Sequence, residues 1–178
     1  MLLNHKNISK PKAKVKDSIS AKCNQCGLCG NYGGLRNMVI KKNKITTKFG
    51  NTIQIKNNLT CKNYGIYGAE CKICQELYIG QTKNKFSIRW NSHRAKWKQL
   101  CTLKTNDFKD NTDEAALFSH YRKFHKNFLT KQFDLTDAFN VFFIEQPKFH
   151  NLDIRENFWI SKLMASINIA ATFLPKFK

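Results

Sequence analysis

The apolar positions of this chain change rhythm from segment to segment, and those changes mark out its elements. Between residues 65 and 80, two short apolar-aromatic runs, Gly65-Ile66-Tyr67 and Tyr78-Ile79-Gly80, flank a tight Cys71-x-x-Cys74 connection. Such runs around a compact turn predict a β-hairpin with strands at roughly 65–70 and 77–81. The period then lengthens. Phe86, Trp90 and Trp97 form an aromatic stripe in a helix expected over about 84–99, after Thr82. A polar loop follows through Asp113, then a second helix over about 114–126. Asn140-Val141-Phe142-Phe143-Ile144-Glu145, bounded by Asp137 and Pro147, suits a buried third strand. Leu152, Trp159, Ile160 and Leu163 line one side of a final helix over about 152–166, with Asp153 favouring its first turn.

This β-β-α-α-β-α order predicts an α/β (α+β) fold: a small three-stranded, mainly antiparallel sheet flanked by helices over residues 63–178. Two further units precede it. Residues 1–22 carry Lys6, Lys10, Lys12, Lys14, Lys16 and Lys22 with almost no apolar periodicity, the pattern of a disordered basic arm. Residues 23–62 form a small Cys-rich appendage. Its segments Ile45–Phe49 and Thr52–Ile55 alternate around Gly50-Asn51 and predict a second hairpin.

Charge narrows the partners. Lys+Arg number 31 against 12 Asp+Glu, a formal charge of +19 spread along all 178 residues. Such a field favours a polyanion, and nucleic acid is the commonest. The bland alternative is a solvated surface of scattered lysines. Membrane association would call for a basic amphipathic helix, a lipidation signal or about 18 consecutive apolar residues, and none is visible. The N-terminus turns polar too early for a signal peptide.

The seven cysteines do not read as a disulfide framework, which wants an even count and a secreted setting. A reducing compartment follows. Cys23, Cys26 and Cys29 stand at x-x spacing, and with Cys61 they make a candidate four-thiolate zinc site; ordinary small hydrophobes in a loop are the alternative. Cys71 and Cys74 sit in the first hairpin, and His120 and His125 end the second helix. Two thiolates and two imidazoles make a closed structural zinc clamp, against phosphate contacts or chance for the histidines.

Arg89 and His93 are four apart, on one helical face beside the aromatic stripe. By pattern alone, Arg89 fits a salt bridge or a phosphate contact, and His93 a satisfied core imidazole. Tyr67 and Tyr78 read as half-buried strand tyrosines. Glu156 falls inside the apolar stripe of the last helix. An unpaired carboxylate there is costly, so it calls for a neighbouring lysine, Arg155, or a Mg²⁺ or Mn²⁺ ion.

The paired triplets Gly65-Ile66-Tyr67 and Tyr78-Ile79-Gly80 resemble the signature of the GIY-YIG nucleases. The inserted Cys71 and Cys74, with His120 and His125, resemble the endonuclease domain of Penelope-like retroelements, over residues 60 to about 168. This resemblance implies a DNA endonuclease that nicks with one Mg²⁺ or Mn²⁺ on Glu156, in a helix where Arg155-Glu156-Asn157-Phe158-Trp159-Ile160 looks like the family's metal-binding segment. Tyr67 would be the general base or water-orienting group, with Tyr78 supporting the phosphate and water network. Arg89 would stabilise the phosphate and His93 would assist proton transfer. Asn168 would be the terminal active-site asparagine. It further implies retrotransposon integration by target-primed reverse transcription, a nuclear location, and a reverse transcriptase domain or element RNA as partners besides DNA. A catalytically inactive zinc module that tethers a partner to DNA is the competing reading. No reverse transcriptase region lies within these residues, which leaves open a stand-alone protein or part of a longer one.

Overall fold

A computed structural model describes residues 26–29, 39–40, 42–46, 50, 52–55, 58–102, 113–129 and 133–168. The basic arm over 1–22 and Cys23 lie outside them. The fold class is as expected. Strands β3 (Gly65–Cys71), β4 (Leu77–Thr82) and β5 (Phe139–Glu145) form one sheet in the order β4-β3-β5, with both pairings antiparallel. A separate hairpin joins β1 (Lys44–Thr46) to β2 (Thr52–Gln54), with Ile45 opposite Ile53. The helices are α1 (Phe86–Thr102), α2 (Asp113–Phe124), α3 (Leu135–Ala138) and α4 (Leu152–Leu163).

The sheet's two faces follow from strand alternation. On one face Tyr67, Ala69, Cys71, Tyr78, Val141 and Phe143 pack with α1 and α2 through Trp90, Trp97 and Tyr121. On the other, Ile66, Ile79, Phe142 and Ile144 pack with Leu152, Trp159 and Leu163 of α4 and with Ile45 and Ile55 of the β1–β2 unit. Trp90 and Trp97 are each 1% exposed. Truncating either to alanine would cost about 3–5 kcal/mol.

The described part of 23–62 is not a detached appendage. Leu28, Cys29 and Cys61 belong to the first apolar cluster, and Ile45 and Ile55 to the second. Ile40 N–H donates to the carbonyl of Val141 at 2.8 Å, beside a parallel bridge from Val39 to Val141. The reason is physical: α1, α2 and α4 leave apolar area of the sheet domain for Leu28, Cys29 and Cys61 to cover on one side and Ile45 and Ile55 on the other.

Local chemistry moves several boundaries. α1 starts at Phe86 because the Asn84 N–H donates to Thr82 Oγ1, turning the chain first. The first N–H groups of α1 then find external acceptors: Phe86 donates to the Asn63 carbonyl at 2.8 Å and Ser87 to the Cys61 carbonyl at 3.1 Å. α3, unforeseen in the sequence, is set by a capping box between Asp134 and Asp137. α4 ends at Leu163, short of the expected 166, because Met164 takes a left-handed conformation with φ 51°. A register irregularity between Ile66 and Tyr67 disturbs the β3–β5 ladder beside the first tyrosine.

Candidate active site and metal centres

β3 and β4 place Tyr67 opposite Gly80, and the tyrosine ring fills the space a side chain at Gly80 would take. A Cβ there would stand 2.6 Å from Tyr67 Oη and 2.9 Å from Tyr78 Cε1. Tyr67 Oη lies 2.6 Å from Nε2 of His93, and Arg89 Nε donates to the same oxygen at 3.4 Å. The trio therefore joins β3 to successive turns of α1. Tyr78 is edge-on to His93, with ring centres 5.9 Å apart. Tyr67, Tyr78 and His93 are buried, while Arg89 is half-exposed and is the member that reaches solvent.

Glu156 is not part of that trio. It lies on the opposite face of the sheet, where α4 packs on β4, and Gln81 Nε2 donates to its Oε2 at 3.0 Å. The same nitrogen donates to Asp153 Oδ1 at 2.5 Å. Neither Gln81 nor Asp153 stood out as a functional residue in the sequence, since one amide after a glycine carries no pattern. Arg155, a sequence-level candidate partner for Glu156, instead forks onto Glu145, with Nε and Nη2 at 2.5 and 2.8 Å from its two carboxylate oxygens. The two halves meet at neighbouring positions of β4: Gly80 under Tyr67, and Gln81 against Glu156.

Asn168 acts on the same strand. Its Nδ2 donates to the Ile79 carbonyl, and its Oδ1 accepts from the Ile79 N–H, both at 2.7 Å. Among the described residues β4 pairs only with β3, so this carboxamide stands in for a strand partner on its other edge. These two bonds make Asn168 a support for Ile79, between Tyr78 and Gly80.

The Cys71, Cys74, His120 and His125 donor atoms all lie within 4.8 Å of one another. Cys74 Sγ is 3.3 Å from His120 Nε2 and 3.3 Å from His125 Nε2. Gln75, at φ 61°, takes part in the turn after Cys74, its N–H donating to the Cys71 carbonyl at 2.9 Å. Desolvation among these groups, helped by Cys71, pushes the Cys74 thiol up to about 11. Burial, and then His125, lowers His120 to about 4, so its imidazole is neutral near pH 7. A neutral imidazole is the ligand form, and a thiol that resists ionisation without a cation ionises readily on a metal. This set could hold a metal ion such as zinc.

A second group, Cys26, Cys29 and Cys61, also has its sulfurs within 4.8 Å of each other. The Cys29 N–H donates to the Cys26 carbonyl at 3.1 Å, closing a tight knuckle. That knuckle rests on α1: a Cβ on Gly27 would stand 3.0 Å from Asn91 Oδ1 and 3.7 Å from Arg94 Nη1. These three thiols could also hold a metal ion, and the fourth expected donor, Cys23, lies outside the described residues.

Arg94 ties the far side of α1 to α3. Its Nε and Nη2 donate to the Asp134 carboxylate at 3.0–3.1 Å. Burial alone would raise that carboxyl, but the Arg94 bonds and the Thr136 N–H outweigh it and hold it below the usual carboxylate range. No helix among the described residues is long and apolar enough to cross a membrane. The chain matches no protein-family model, no curated protein and no solved structure.

Proposed function

We propose that this protein is a metal-dependent DNA endonuclease of the GIY-YIG kind that nicks one strand, with zinc in both cysteine-containing centres as structural ions. The observation that carries the reading is the Tyr67–His93–Arg89 network, a buried phenol held between a buried imidazole and a half-exposed guanidinium. With Nε2 of His93 as acceptor, the Tyr67 phenol donates its proton there and its oxygen lone pairs stay available. Arg89 occupies one of them in the absence of substrate. When a phosphate draws Arg89 away, that oxygen becomes open to a water, which it orients for attack while the guanidinium offsets charge on the phosphate. His93 takes up the proton passed through the phenol.

Glu156 fits a divalent ion by its donor chemistry: a half-buried carboxylate on a helix, with the neutral amide of Gln81 donating to its Oε2. A bound Mg²⁺ or Mn²⁺ would supply Lewis-acid stabilisation of the phosphate. A phosphodiester lying across the open edge of β4 would meet Arg89 from one face and Glu156 from the other. The formal charge of +19 supports a polyanionic substrate. A retrotransposon setting, with the nick priming reverse transcription in the nucleus, rests on the resemblance of the motifs alone.

The test is incubation of the purified full chain with supercoiled plasmid and Mg²⁺. Open circles that disappear with Glu156→Ala and with Tyr67→Phe support the nuclease. DNA binding without nicking by the wild type would refute it in favour of a zinc-dependent tether.

A further inference from the structure

We infer that Gln81 is a positioning residue, one that sets the Glu156 carboxylate for its ion; the inference rests on the nuclease reading above. Gln81 is the first residue after Gly80 on β4 and pairs with Ile66 in the middle strand, so its backbone is fixed. Its side chain emerges on the α4 face, where it meets Asp153 and Glu156 together. Those two carboxylates are three residues apart on α4 and lie on one side of the helix, where like charges repel. A primary amide offers two N–H bonds on one nitrogen. Here each carboxylate receives one, at 2.5 Å for Asp153 and 3.0 Å for Glu156.

Two consequences follow from the choice of an amide. A carboxylate has about four lone-pair positions, so the Gln81 bond at Oε2 orients Glu156 and is compatible with its acting as a ligand. The amide is also neutral. A lysine or arginine at position 81 would reach the same oxygens, but its positive charge would cancel the field that attracts a divalent ion. Gln81 thus relieves the repulsion between Asp153 and Glu156 while leaving both negative charges in place. Asp153 adds to that field from the first turn of α4. Partners of this kind behind a metal ligand commonly change metal affinity by about 10–100-fold when removed.

The experiment uses the zinc-loaded full chain and reads Mn²⁺ binding by electron paramagnetic resonance without DNA, then nicking across a Mg²⁺ titration. Wild type is compared with Gln81→Met, which keeps the length but has no donor, with Gln81→Lys, and with Glu156→Ala. The expected result for Gln81→Met is about a tenfold rise in the Mn²⁺ and Mg²⁺ concentrations for half-saturation. Its melting temperature and metal-free DNA affinity should stay at wild-type values, and its nicking rate should recover at excess Mg²⁺. Gln81→Lys should bind Mn²⁺ more weakly still. Unchanged metal affinity in a folded Gln81→Met, or a rate loss that excess metal leaves in place, overturns the assignment. Should Gln81→Met fail to fold, Gln81→Lys decides: wild-type Mn²⁺ affinity there overturns it too. Loss of the Mn²⁺ site in Glu156→Ala together with wild-type Mn²⁺ affinity in the Gln81 variants sinks this inference alone. A wild type with no Glu156-dependent Mn²⁺ site sinks the parent reading along with it.

Discussion

Gly80→Ala is the smallest change that reaches the proposed chemistry without replacing a reacting group. The added methyl would sit 2.6 Å from both Cζ and Oη of Tyr67 and 2.9 Å from the Tyr78 ring. Ordinary contact begins near 3.4 Å, so the Tyr67 ring must retreat by about 0.8 Å. It has nowhere easy to go, because Phe86 and Trp90 meet it edge-on at centroid distances of 6.0 and 6.5 Å. The 2.6 Å contact with His93 is therefore what gives way. Overpacking of this sort costs about 1–3 kcal/mol of stability, a loss the fold can survive. Misplacing a reacting group by about 1 Å costs on the order of 100-fold in rate, equivalent to about 2.7 kcal/mol in the barrier.

The expected outcome is a folded protein that melts a few degrees lower and nicks about two orders of magnitude more slowly at saturating DNA and Mg²⁺. Denaturant unfolding and single-turnover nicking measure the two effects separately. Because the methyl acts through Tyr67, combining Gly80→Ala with Tyr67→Phe should cost little more than Tyr67→Phe alone. A folded Gly80→Ala enzyme that nicks within about threefold of wild type would refute the reasoning, as would losses that simply multiply.

Three further outcomes are expected. Metal analysis of the folded chain should give close to two zinc ions; Cys74→Ser should lose one and unfold the sheet domain by circular dichroism, since a structural zinc contributes about 10 kcal/mol against a total stability of about 5–15. Cys26→Ser should lose the other ion and leave β3–β5 folded, and a zinc-free preparation that folds and nicks would contradict both assignments. The Asp134 carboxyl is lower in the folded than in the unfolded state, so its contribution is present above the unfolded value near 4 and is lost as pH falls through the folded one. Asp134→Asn should thus flatten the acid side of the stability profile in thermal melts, and equal slopes would count against the Arg94 pairing. Deleting residues 1–20 should weaken DNA binding and reduce its salt dependence through the loss of Lys6, Lys10, Lys12, Lys14 and Lys16. The rate at saturating DNA should stay unchanged, and a slower rate with normal binding would instead put the arm in the active site.

The parts of this fold that the sequence displays are those governed by repeating burial. The apolar runs Ile66 to Ala69 and Val141 to Ile144 mark β3 and β5, which are covered on both faces, and the stripe of Phe86, Trp90 and Trp97 marks α1, which is covered on one. What it hides depends on partners far along the chain. α1 begins where carbonyls of Cys61 and Asn63 accept its first N–H groups. α3 exists through an Asp134 carboxylate that Arg94 holds from 40 residues away. The same holds at the site. Cysteine and histidine spacing revealed the clamp, since metal ligands are few in kind. Gln81 and the Asn168 support of Ile79 were invisible, because amides bond to almost anything and only the fold says to what.

The placement of the two metal-capable groups explains why a domain with its own core would need them. One group closes the Cys71–Cys74 turn against the end of α2, at the tip of the hairpin whose strands carry Tyr67 and Tyr78. The other includes Cys61, whose carbonyl caps the first turn of α1, the helix that carries Arg89 and His93. The trio thus spans two elements, each anchored at one end by cysteines. Apolar packing resists separation of these elements but is non-directional, and so resists sliding weakly. The Tyr67–His93 contact of 2.6 Å is lost by a slide of about 1 Å. Coordination bonds near 2.0–2.3 Å have no such latitude. Fixing the hairpin tip and the helix start with metal ions converts two sliding contacts into fixed points, and the geometry between them follows.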